Sequence, residues 1–285
     1  MTKRFAKYEL QTALLDGIFE SSKRVSDADE KRRTIERKFD HVERDEHGRI
    51  IGKKIKDAIK LRLKVPYKLG TSAESLLLAI LKIAAQDGDT SLPGDLLLAN
   101  ESASEKSVQG AEMIMFHLLK EAGMSDGKKS YDQAKHYLQL MSEISVWYSN
   151  EITGWSGSSW FMAYETHKDG RLRIQLNWRL SGAIFGEYLH AIINLDERAA
   201  LTRDPSKTLH RWLSAHIWPG NNGNFHYETL IRHIWSEDAS EATTRKRISR
   251  LKTEILPEIS SLAGWNVVQK ADAVNISRLK DAQAG

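Results

Sequence analysis

Basic, hydroxyl and apolar residues alternate at helical spacing in the segment TTRKRISRLKTEIL (243–256). At about 100° per residue, Ile248, Leu251 and Ile255 fall on one face of a helix. The opposite face and its flanks carry the polar set Thr243, Arg245, Lys246, Arg247, Ser249, Arg250 and Thr253. Arg and Lys can bind guanine O6 and N7 or hold phosphates, and Thr and Ser can bond to either. The segment predicts a helix that packs by its apolar face and contacts DNA with the other; a solvated basic helix is the alternative.

A second segment with the same division, YDQAKHYLQLMSEI (131–144), lies near the middle of the chain. Its buried face is predicted to consist of Ala134, Leu138 and Met141. The residues that could contact bases or phosphates are Lys128, Lys129, Tyr131, Lys135, His136 and Gln139. Gln can bond to adenine, and Lys and His can touch base or phosphate. Asp132 and Glu143 also point outwards and would repel the phosphate backbone, so a plain surface helix stays open.

The elements that must position these side chains follow one order twice. In the first half, residues 71–86 predict a helix in which Glu74 is placed for a capping box. Residues 105–121 predict the next helix, 131–144 the third, and strand segments follow as far as RLRIQLN. In the second half, YETLIRHIW and residues 243–256 predict helices, and GWNVVQ and AVNISR predict strands joined by KADA.

Helix, turn, helix and then a β-hairpin is the order of a winged helix. We therefore predict an α+β fold of tandem winged-helix domains, mostly helical with small β-hairpin wings. Lys270, at the second hairpin, suits a contact with phosphate or the minor groove. Pro257 should end or kink the last helix just before it.

The charge pattern and the repeated order of elements divide the chain into a charged N-terminal arm (1–56), a first winged-helix domain (57–177) and a second (178–285). Residues 21–49 are dense in charges of both signs, and cannot bury enough apolar surface to offset their ordering entropy. They predict a solvated helix or a mobile arm. In the basic run that follows, IKLRLKV (59–65) alternates and predicts a strand with one wet face. This run would contact the DNA backbone, or its lysines would keep an edge strand from pairing with a strand of another molecule.

Composition removes several classes of protein. The 285 residues carry 42 Lys and Arg and 38 Asp and Glu, and the resulting net charge of +4 permits nucleic-acid partners without requiring them. The absence of cysteine excludes disulfides, cysteine-ligated zinc, iron–sulfur clusters and thiol nucleophiles. The chain has no apolar run of about 18 residues and no signal-peptide pattern at its start. We expect a cytoplasmic protein without a membrane partner.

Signatures of catalysis fail on their spacing. In GMSDGKKS, three residues rather than four separate the glycines, and Lys129 stands where a P-loop needs Ser or Thr. His210 and His216 are six residues apart, and HIWPG lacks the second His of a nicking initiator. The eight tryptophans are predicted to pack in the core rather than stack on bases. We expect no catalytic residue, no metal site, no cofactor and no enzymatic activity.

The second half resembles a known family in three segments: GRLRIQLN, LHRWLSAHIWPGNNG and ETLIRHIWSEDASEATTRKRISRLKTEILPEISSLAGWNV. It is similar to the RepC iteron-binding replication initiators of the IncQ plasmid family. The resemblance implies tandem winged helices whose recognition helices are Tyr131–Glu143 and Thr243–Leu256. It also implies binding to directly repeated origin sequences, opening of adjacent AT-rich DNA, and recruitment of a plasmid-encoded helicase and primase. A homodimer is left open.

Two other functions stay open beside this one. A winged-helix transcriptional regulator would bind DNA without recruiting a helicase, and an origin-dependent replication assay separates it from an initiator. A protein-interaction module with little DNA affinity would bind in a way that barely responds to salt. Several phosphate contacts would instead give a steep salt dependence.

Overall fold

The computed structural model describes residues 4–16, 18–21, 33–41, 54–66, 69–86, 110–152, 154, 156–185, 189–235 and 239–280. The helices and strands in these ranges are, in chain order, β1 (Phe5–Glu9), α1 (Leu10–Leu14), β2 (Phe19–Glu20), β3 (Arg33–His41), β4 (Ile55–Val65), β5 (Leu69–Gly70), α2 (Thr71–Gln86), β6 (Gly110–Ile114), α3 (Met115–Glu121), α4 (Lys128–Ser142), β7 (Ser145–Asn150), β8 (Ser156–Trp160), β9 (Met162–Thr166), β10 (Arg171–Leu176), α5 (Trp178–Phe185), β11 (His190–Asn194), α6 (Leu195–Ala200), α7 (Asp204–His216), β12 (Asn222–His226), α8 (Tyr227–Ile234), α9 (Glu241–Arg250), α10 (Leu256–Ser260), β13 (Trp265–Gln269) and β14 (Ala273–Arg278). A π-helical turn, Leu251–Ile255, connects α9 to α10 without a break.

The first unit packs helices α2, α3 and α4 with a three-stranded antiparallel sheet of order β6-β10-β9. Ile174 in the central strand lies opposite Ala111 on one side and Tyr164 on the other. Helix α2 is buried around most of its circumference, as a helix enclosed by other elements must be. Helix α4 buries Ala134, Leu138 and Met141, which confirms the face predicted from the sequence.

The second unit repeats this order of elements around a core of its own. Helices α7, α8 and α9 are followed by the hairpin β13–β14, and β12 completes an antiparallel sheet of order β12-β14-β13. Val274 and Ile276 of the central strand are fully buried in one cluster with Leu251 and Ile255 of the π-helical turn. The hairpin predicted from GWNVVQ and AVNISR is confirmed, with Val267 opposite Ile276.

Of the two outcomes predicted for Pro257, an end or a kink just before it, the end is wrong, whereas the regular helix does give way to a π-helical turn at Leu251–Ile255. The chain passes through the π-helical turn and continues as α10, with the proline in the first turn of that helix. Proline lacks an N–H and crowds the carbonyl four residues earlier. The wider turn just before it accommodates this without ending the helix.

A two-stranded ribbon joins the two units. Strand β1 pairs antiparallel with β11, so that Glu9 lies opposite His190. Each strand runs directly into a short helix, α1 after β1 and α6 after β11. The last strand residue caps that helix in both cases: the side chains of Glu9 and Asn194 each accept two backbone N–H groups of the first turn. Residues 5–9 are thereby fixed to the start of the second unit.

A separate four-stranded sheet of order β3-β4-β7-β8 is assembled from two distant parts of the chain. One of its faces is buried, through residues such as Leu61, Leu63 and Val146. Lys60, Arg62 and Lys64 lie on the other face, which confirms that IKLRLKV forms a strand with one solvated face, as predicted. Strand β4 pairs on both sides, with β3 and with β7, so the edge-strand explanation for its lysines is wrong.

Strands hold a larger share of the described residues than a mostly helical fold would have. Residues 110–114, predicted as part of a helix over 105–121, form strand β6, and helix α3 begins only at Met115. Buried Ala111 and Met113 alternate there with exposed Glu112 and Ile114, which is the period of a strand. Residues 105–109 lie outside the described part.

Within residues 1–56, the described segments are packed against the rest of the molecule. Tyr8, Leu15 and Phe19 are buried in the core of the first unit, and residues 33–41 form a strand of the four-stranded sheet. The solvated helix or mobile arm expected over residues 21–49 is therefore wrong for residues 33–41, which pair with β4. Residues 22–32 and 42–53 lie outside the described ranges, and the division at residues 56 and 177 stays a prediction.

Buried charges hold the two units together. The carboxylate of Glu74 on α2 lies between two arginines of the second half: Arg198 Nη2 is 2.5 Å from its Oε2, and Arg211 Nε is 2.6 Å from its Oε1. The second contact is an ion pair without a hydrogen bond between the two atoms. Arg211 Nη1 also donates to the carbonyls of Ala13 and Leu15, at 2.6 and 3.1 Å. At most 3% of any of the three charged residues is exposed.

His210 is a second buried polar group, inside the second half of the chain. Its Nε2 lies 2.9 Å from Glu197 Oε2, which also accepts a hydrogen bond from Trp265 Nε1. Burial lowers the pKa of His210, although the neighbouring Glu197 opposes this. Burial alone would raise the pKa of Glu197, but the hydrogen bonds from His210 and Trp265 outweigh it and hold that pKa below its usual value.

His210 should therefore make folding stability fall in mild acid. Below about pH 6.5 the unfolded chain takes up a proton at this position that the folded chain does not, so stability is lost as the pH falls towards the lowered folded pKa. We expect His210→Asn to lose less unfolding free energy than the wild type between pH 7.5 and 5.5, with a difference of up to about 1.4 kcal/mol per pH unit. Urea unfolding at the two pH values measures this. Equal losses in both proteins would show that His210 does not resist protonation in the fold.

Candidate nucleic-acid interface

Helix α9 is fixed at both ends while its outward face stays open. At its start, the side chain of Ser240 accepts a hydrogen bond from the backbone N–H of Thr243, at 3.4 Å. At its end, Leu251 and Ile255 anchor the π-helical turn in the core, and Ile248 is half-buried beside them. No residue of α9 itself is buried. The predicted division between an apolar face and a polar face is thus confirmed.

The polar residues predicted on this helix lie at the surface. The exposed ones are Thr243, Arg245, Lys246, Ser249, Arg250 and Thr253. Arg247 is half-buried, with its guanidinium 5.5 Å from the ring centre of Trp235. Their role in contacting DNA stays a prediction.

Neighbouring carboxylates already partner two of these cations. Arg245 Nη2 lies 2.9 Å from Glu241, and Arg250 Nε lies 3.2 Å from Glu254. Exposed pairs at this helical spacing contribute only about 0.3–0.5 kcal/mol, so a phosphate or base could replace either carboxylate at small cost. Lys246 forms no ion pair with any residue of the described part. It is the cation on this face that is most directly available to a ligand.

The hairpin tip that carries Lys270 is tied to the same helix. Tyr227 donates its hydroxyl hydrogen to the carbonyl of Lys270 at 2.7 Å. Lys252 in the π-helical turn donates to the carbonyl of Ala271, and Gln269 donates back to the carbonyl of Lys252. The Lys252 ammonium also lies 4.0 Å above the ring of Tyr227. The tip and the helix therefore form one surface, from which the exposed Lys270 side chain projects.

Helix α4 presents a comparable but more mixed face. Its exposed candidates are Lys128, Lys129, Lys135, His136 and Gln139. Gln139 donates to Glu143 at 3.5 Å, so the one side chain suited to adenine faces an acidic neighbour. Tyr131 is half-buried, and burial together with Asp126, which its hydroxyl contacts, raises its pKa. Tyr131 is thus turned towards the preceding loop more than the sequence implied.

The hairpin β9–β10 of the first unit differs from its counterpart because its charges are neutralised locally. Arg171 contacts Asp169 at 2.8 Å and Glu112 at 3.2 Å, and Arg173 contacts Glu112 at 2.9 Å. Hydrogen bonds from His167 and Arg171 hold the pKa of Asp169 well below its usual value. Of the two hairpins, that of the second unit therefore presents a cation, Lys270, that no acidic side chain of the described residues neutralises.

Neither a metal cluster nor a membrane span accompanies this surface in the part of the chain that is described. The residues there contain no group of three or more His, Asp or Glu side chains placed to hold a metal ion. Their helices are all too short or too polar to cross a membrane.

The sequence of the chain matches the family model described as Replication protein C (RepC) over residues 3–280. The chain belongs to the RepC replication protein family. No curated protein matches it. Among solved structures, the RepC chain is similar to a selenomethionine form of domains 2 and 3 of RctB, with 10% sequence identity, a TM-score of 0.50, and coverage of 88% of this chain and 93% of that one. A second structure of the same two domains matches with 11% identity, coverage of 89% and 94%, and a TM-score of 0.46.

Family membership supports a role for this RepC chain in DNA replication, whereas at 10% identity the likeness to RctB concerns the fold alone. The first RctB match spans nearly all of a fragment with two domains, in agreement with the two units seen here. The narrower resemblance to IncQ initiators stays a prediction.

A surface that combines basic and aromatic side chains was not predicted from the sequence. All eight tryptophans were predicted to be core residues, and Trp212 and Trp265 are indeed buried, but 49% of Trp160 is exposed. Trp160 and the half-buried Trp147 lie on the same face of the four-stranded sheet as Arg62. Only the pairing of β4 with β7 brings them together, and no local sequence pattern reveals that register.

Proposed function

We propose that this chain is a plasmid replication initiator that binds double-stranded DNA at directly repeated origin sequences, the iterons. In this proposal both units are winged-helix domains, and the recognition helices are α4 and the continuous helix that begins with α9. The observation that carries the proposal is the surface of the second unit. There an exposed basic helix face and the hairpin tip with Lys270 are held together by the hydrogen bonds around Lys252.

The repeated order of elements supports the winged-helix assignment. In each unit, a helix, a strand and two more helices precede a hairpin, and the first strand completes a three-stranded sheet. In proteins of this kind the last helix enters the major groove and the hairpin lies beside the backbone. Lys246, Ser249 and Arg250 would then meet base edges or phosphates, while Lys270 would meet a phosphate.

Two recognition helices held at a fixed distance could bind one repeat together, each in one of two successive major grooves. Several bound copies would strain the neighbouring duplex, and AT-rich DNA opens at the lowest cost when it is deformed. The resemblance to IncQ initiators supports recruitment of a plasmid-encoded helicase and primase at that stage. In this proposal the chain acts by binding, without catalysing a reaction.

An origin-dependent replication assay tests the proposal. A plasmid that carries the cognate repeats and their AT-rich flank, but no initiator gene, should be maintained only in cells that supply this chain. Scrambling the repeats should abolish its maintenance. Repeat binding without maintenance, even with the helicase and primase present, would contradict the initiator role and favour a transcriptional regulator.

The Lys270→Ala variant should weaken binding to every duplex by a similar factor. A phosphate contact carries no sequence information, so its loss should reduce the slope of log K against log salt concentration by about 1 for repeat and scrambled DNA alike. Lys207→Ala is a matched control, because this lysine lies on α7 in the first part of the second unit. An unchanged slope in Lys270→Ala would remove the hairpin tip from the interface.

A further inference from the structure

The four-stranded sheet has one face that the duplex-binding role does not use. Alternate residues of each strand point to it, and the register brings them into rows across the sheet. Lys60 lies between Lys38 and Ser149, Arg62 between Glu36 and Trp147, and Lys64 between Thr34 and Ser145. On β7 and β8, Ser149 faces Ser156, Trp147 faces Ser158, and Ser145 faces Trp160. These twelve side chains are exposed or half-exposed.

The charge of this face is positive. Four of the twelve residues are cations and one, Glu36, is an acid. The side chains of Lys38, Lys60 and Lys64 form no ion pair or hydrogen bond with any residue in the described ranges. The three cations of β4 are spaced two residues apart, about 6.6 Å along the strand, and so form a row. A row of cations on an exposed sheet face attracts a polyanion that can lie along it.

The two tryptophans add planar apolar surfaces to the same face. Trp160 lies opposite Ser145, two residues from Trp147 on the neighbouring strand, so the two tryptophans occupy diagonal positions, which are about 7–8 Å apart in a β-sheet. The guanidinium of Arg62 lies 4.7 Å from the ring centre of Trp147. Each tryptophan borders a shallow groove, of about 430 Å³ beside Trp147 and about 500 Å³ beside Trp160.

We propose that this face binds unpaired DNA, with bases stacked on Trp147 and Trp160 and phosphates held by Lys38, Lys60, Arg62 and Lys64. We call these six residues the sheet platform. Exposed aromatic rings among cations are the combination that binds single strands without strong sequence preference, because every base has a flat face. A duplex hides those faces in its own stack and would use the cations alone. The serines around the indoles can bond to phosphate or base edges.

The location of the sheet platform suits a strand released close to bound duplex. Strand β7 begins three residues after helix α4 ends, and Ser142 and Glu143 at that helix end line the groove beside Trp160. Strand β8 leads through Phe161 into β9 of the hairpin of the first unit. The inference rests on the proposed function only for the source of the unpaired strand, since an initiator opens DNA beside its repeats.

The test compares two ligands on the full chain: a fluorescent oligothymidylate of about 20 nucleotides, and the duplex repeat. Trp160→Ala should weaken oligothymidylate binding by about 5- to 150-fold and leave duplex binding unchanged. Trp160→Phe, which keeps an aromatic face, should restore most of the loss. The side chain is about half exposed, so Trp160→Ala should unfold at the same temperature as the wild type.

A second variant tests the cations independently of stacking. Lys60→Ala combined with Lys64→Ala should lower the salt dependence of oligothymidylate binding, and Lys246→Ala should not affect that ligand. If Trp160→Ala and the double lysine variant bind oligothymidylate as tightly as the wild type, the inference is wrong. Oligothymidylate binding that needs Trp160, in a protein without specific duplex binding, would support the inference and contradict the proposed function. Repeat-specific duplex binding without oligothymidylate binding would support the proposed function and contradict the inference.

Discussion

Replacing Glu74 with glutamine should lower the free energy of unfolding by about 3–5 kcal/mol. The carboxylate lies between the guanidinium groups of Arg198 and Arg211, and all three residues are almost fully removed from solvent. Without its charge, two buried cations would face each other with no anion between them. In a low-dielectric interior, the unpaired charges that remain cost more than the original pair gained.

Chemical denaturation of the two proteins at pH 7 measures this loss. The matched control is Glu241→Gln, which breaks the exposed pair with Arg245 on α9 and should change stability by about 0.5 kcal/mol or less. A Glu74→Gln variant as stable as the control would show that the buried triad does not hold the units together. Because Glu74 belongs to α2 and its partners to α6 and α7, the loss should also disturb the relation between the two proposed DNA-binding surfaces.

Lys246→Ala and Arg250→Ala should each reduce affinity for the repeat by about 1–3 kcal/mol if the residue reads a base. Both side chains are exposed on α9, and Lys246 has no ionic partner in the described part of the chain. Arg250 must first release Glu254, an exchange of one exposed ion pair for a contact with DNA. The two residues are one helical turn apart, so their effects need not add, but the double variant should bind more weakly than either single one.

The matched control for the double variant is Lys207→Ala with Lys280→Ala, which removes the same charge away from α9. Lys207 belongs to α7, and Lys280 follows β14 at the end opposite its turn. Fluorescence anisotropy with repeat and scrambled duplexes separates a loss of sequence-specific binding from a loss of nonspecific electrostatic attraction. If the α9 variant binds the repeat as tightly as the control does, this helix is not the one that reads the sequence.

Local patterns in the sequence predicted several elements of the fold, among them those that carry the proposed duplex interface. The spacing of Ala134, Leu138 and Met141 gave the buried face of α4, and the alternation in IKLRLKV gave the wet face of β4. The hairpin β13–β14 followed from two short β-type segments around a polar link. In each case the decisive contacts lie within one element or between neighbours along the chain, where periodicity is informative.

The remaining features depend on pairing between distant segments. Arg4 and Asp196, 192 residues apart, are hydrogen-bonded beside the β1–β11 ribbon, and neither strand indicates its partner. Glu74 has the spacing of a capping-box residue, but its carboxylate forms the buried triad with two arginines more than 120 residues away. The sheet platform likewise arises only when β4 pairs with β7. Periodicity reports burial, whereas partner choice is decided by tertiary packing.

The most direct test of the central claim is binding of the purified chain to its repeated origin sequence and to scrambled duplex across a salt series. We predict tight binding specific to the repeat, with log K falling linearly and steeply as log salt concentration rises, because several phosphates are contacted. Equally weak binding to both sequences, with little response to salt, would contradict the proposal that the chain binds duplex DNA in a sequence-specific way. It would favour the alternative that the two units form a module that binds another protein.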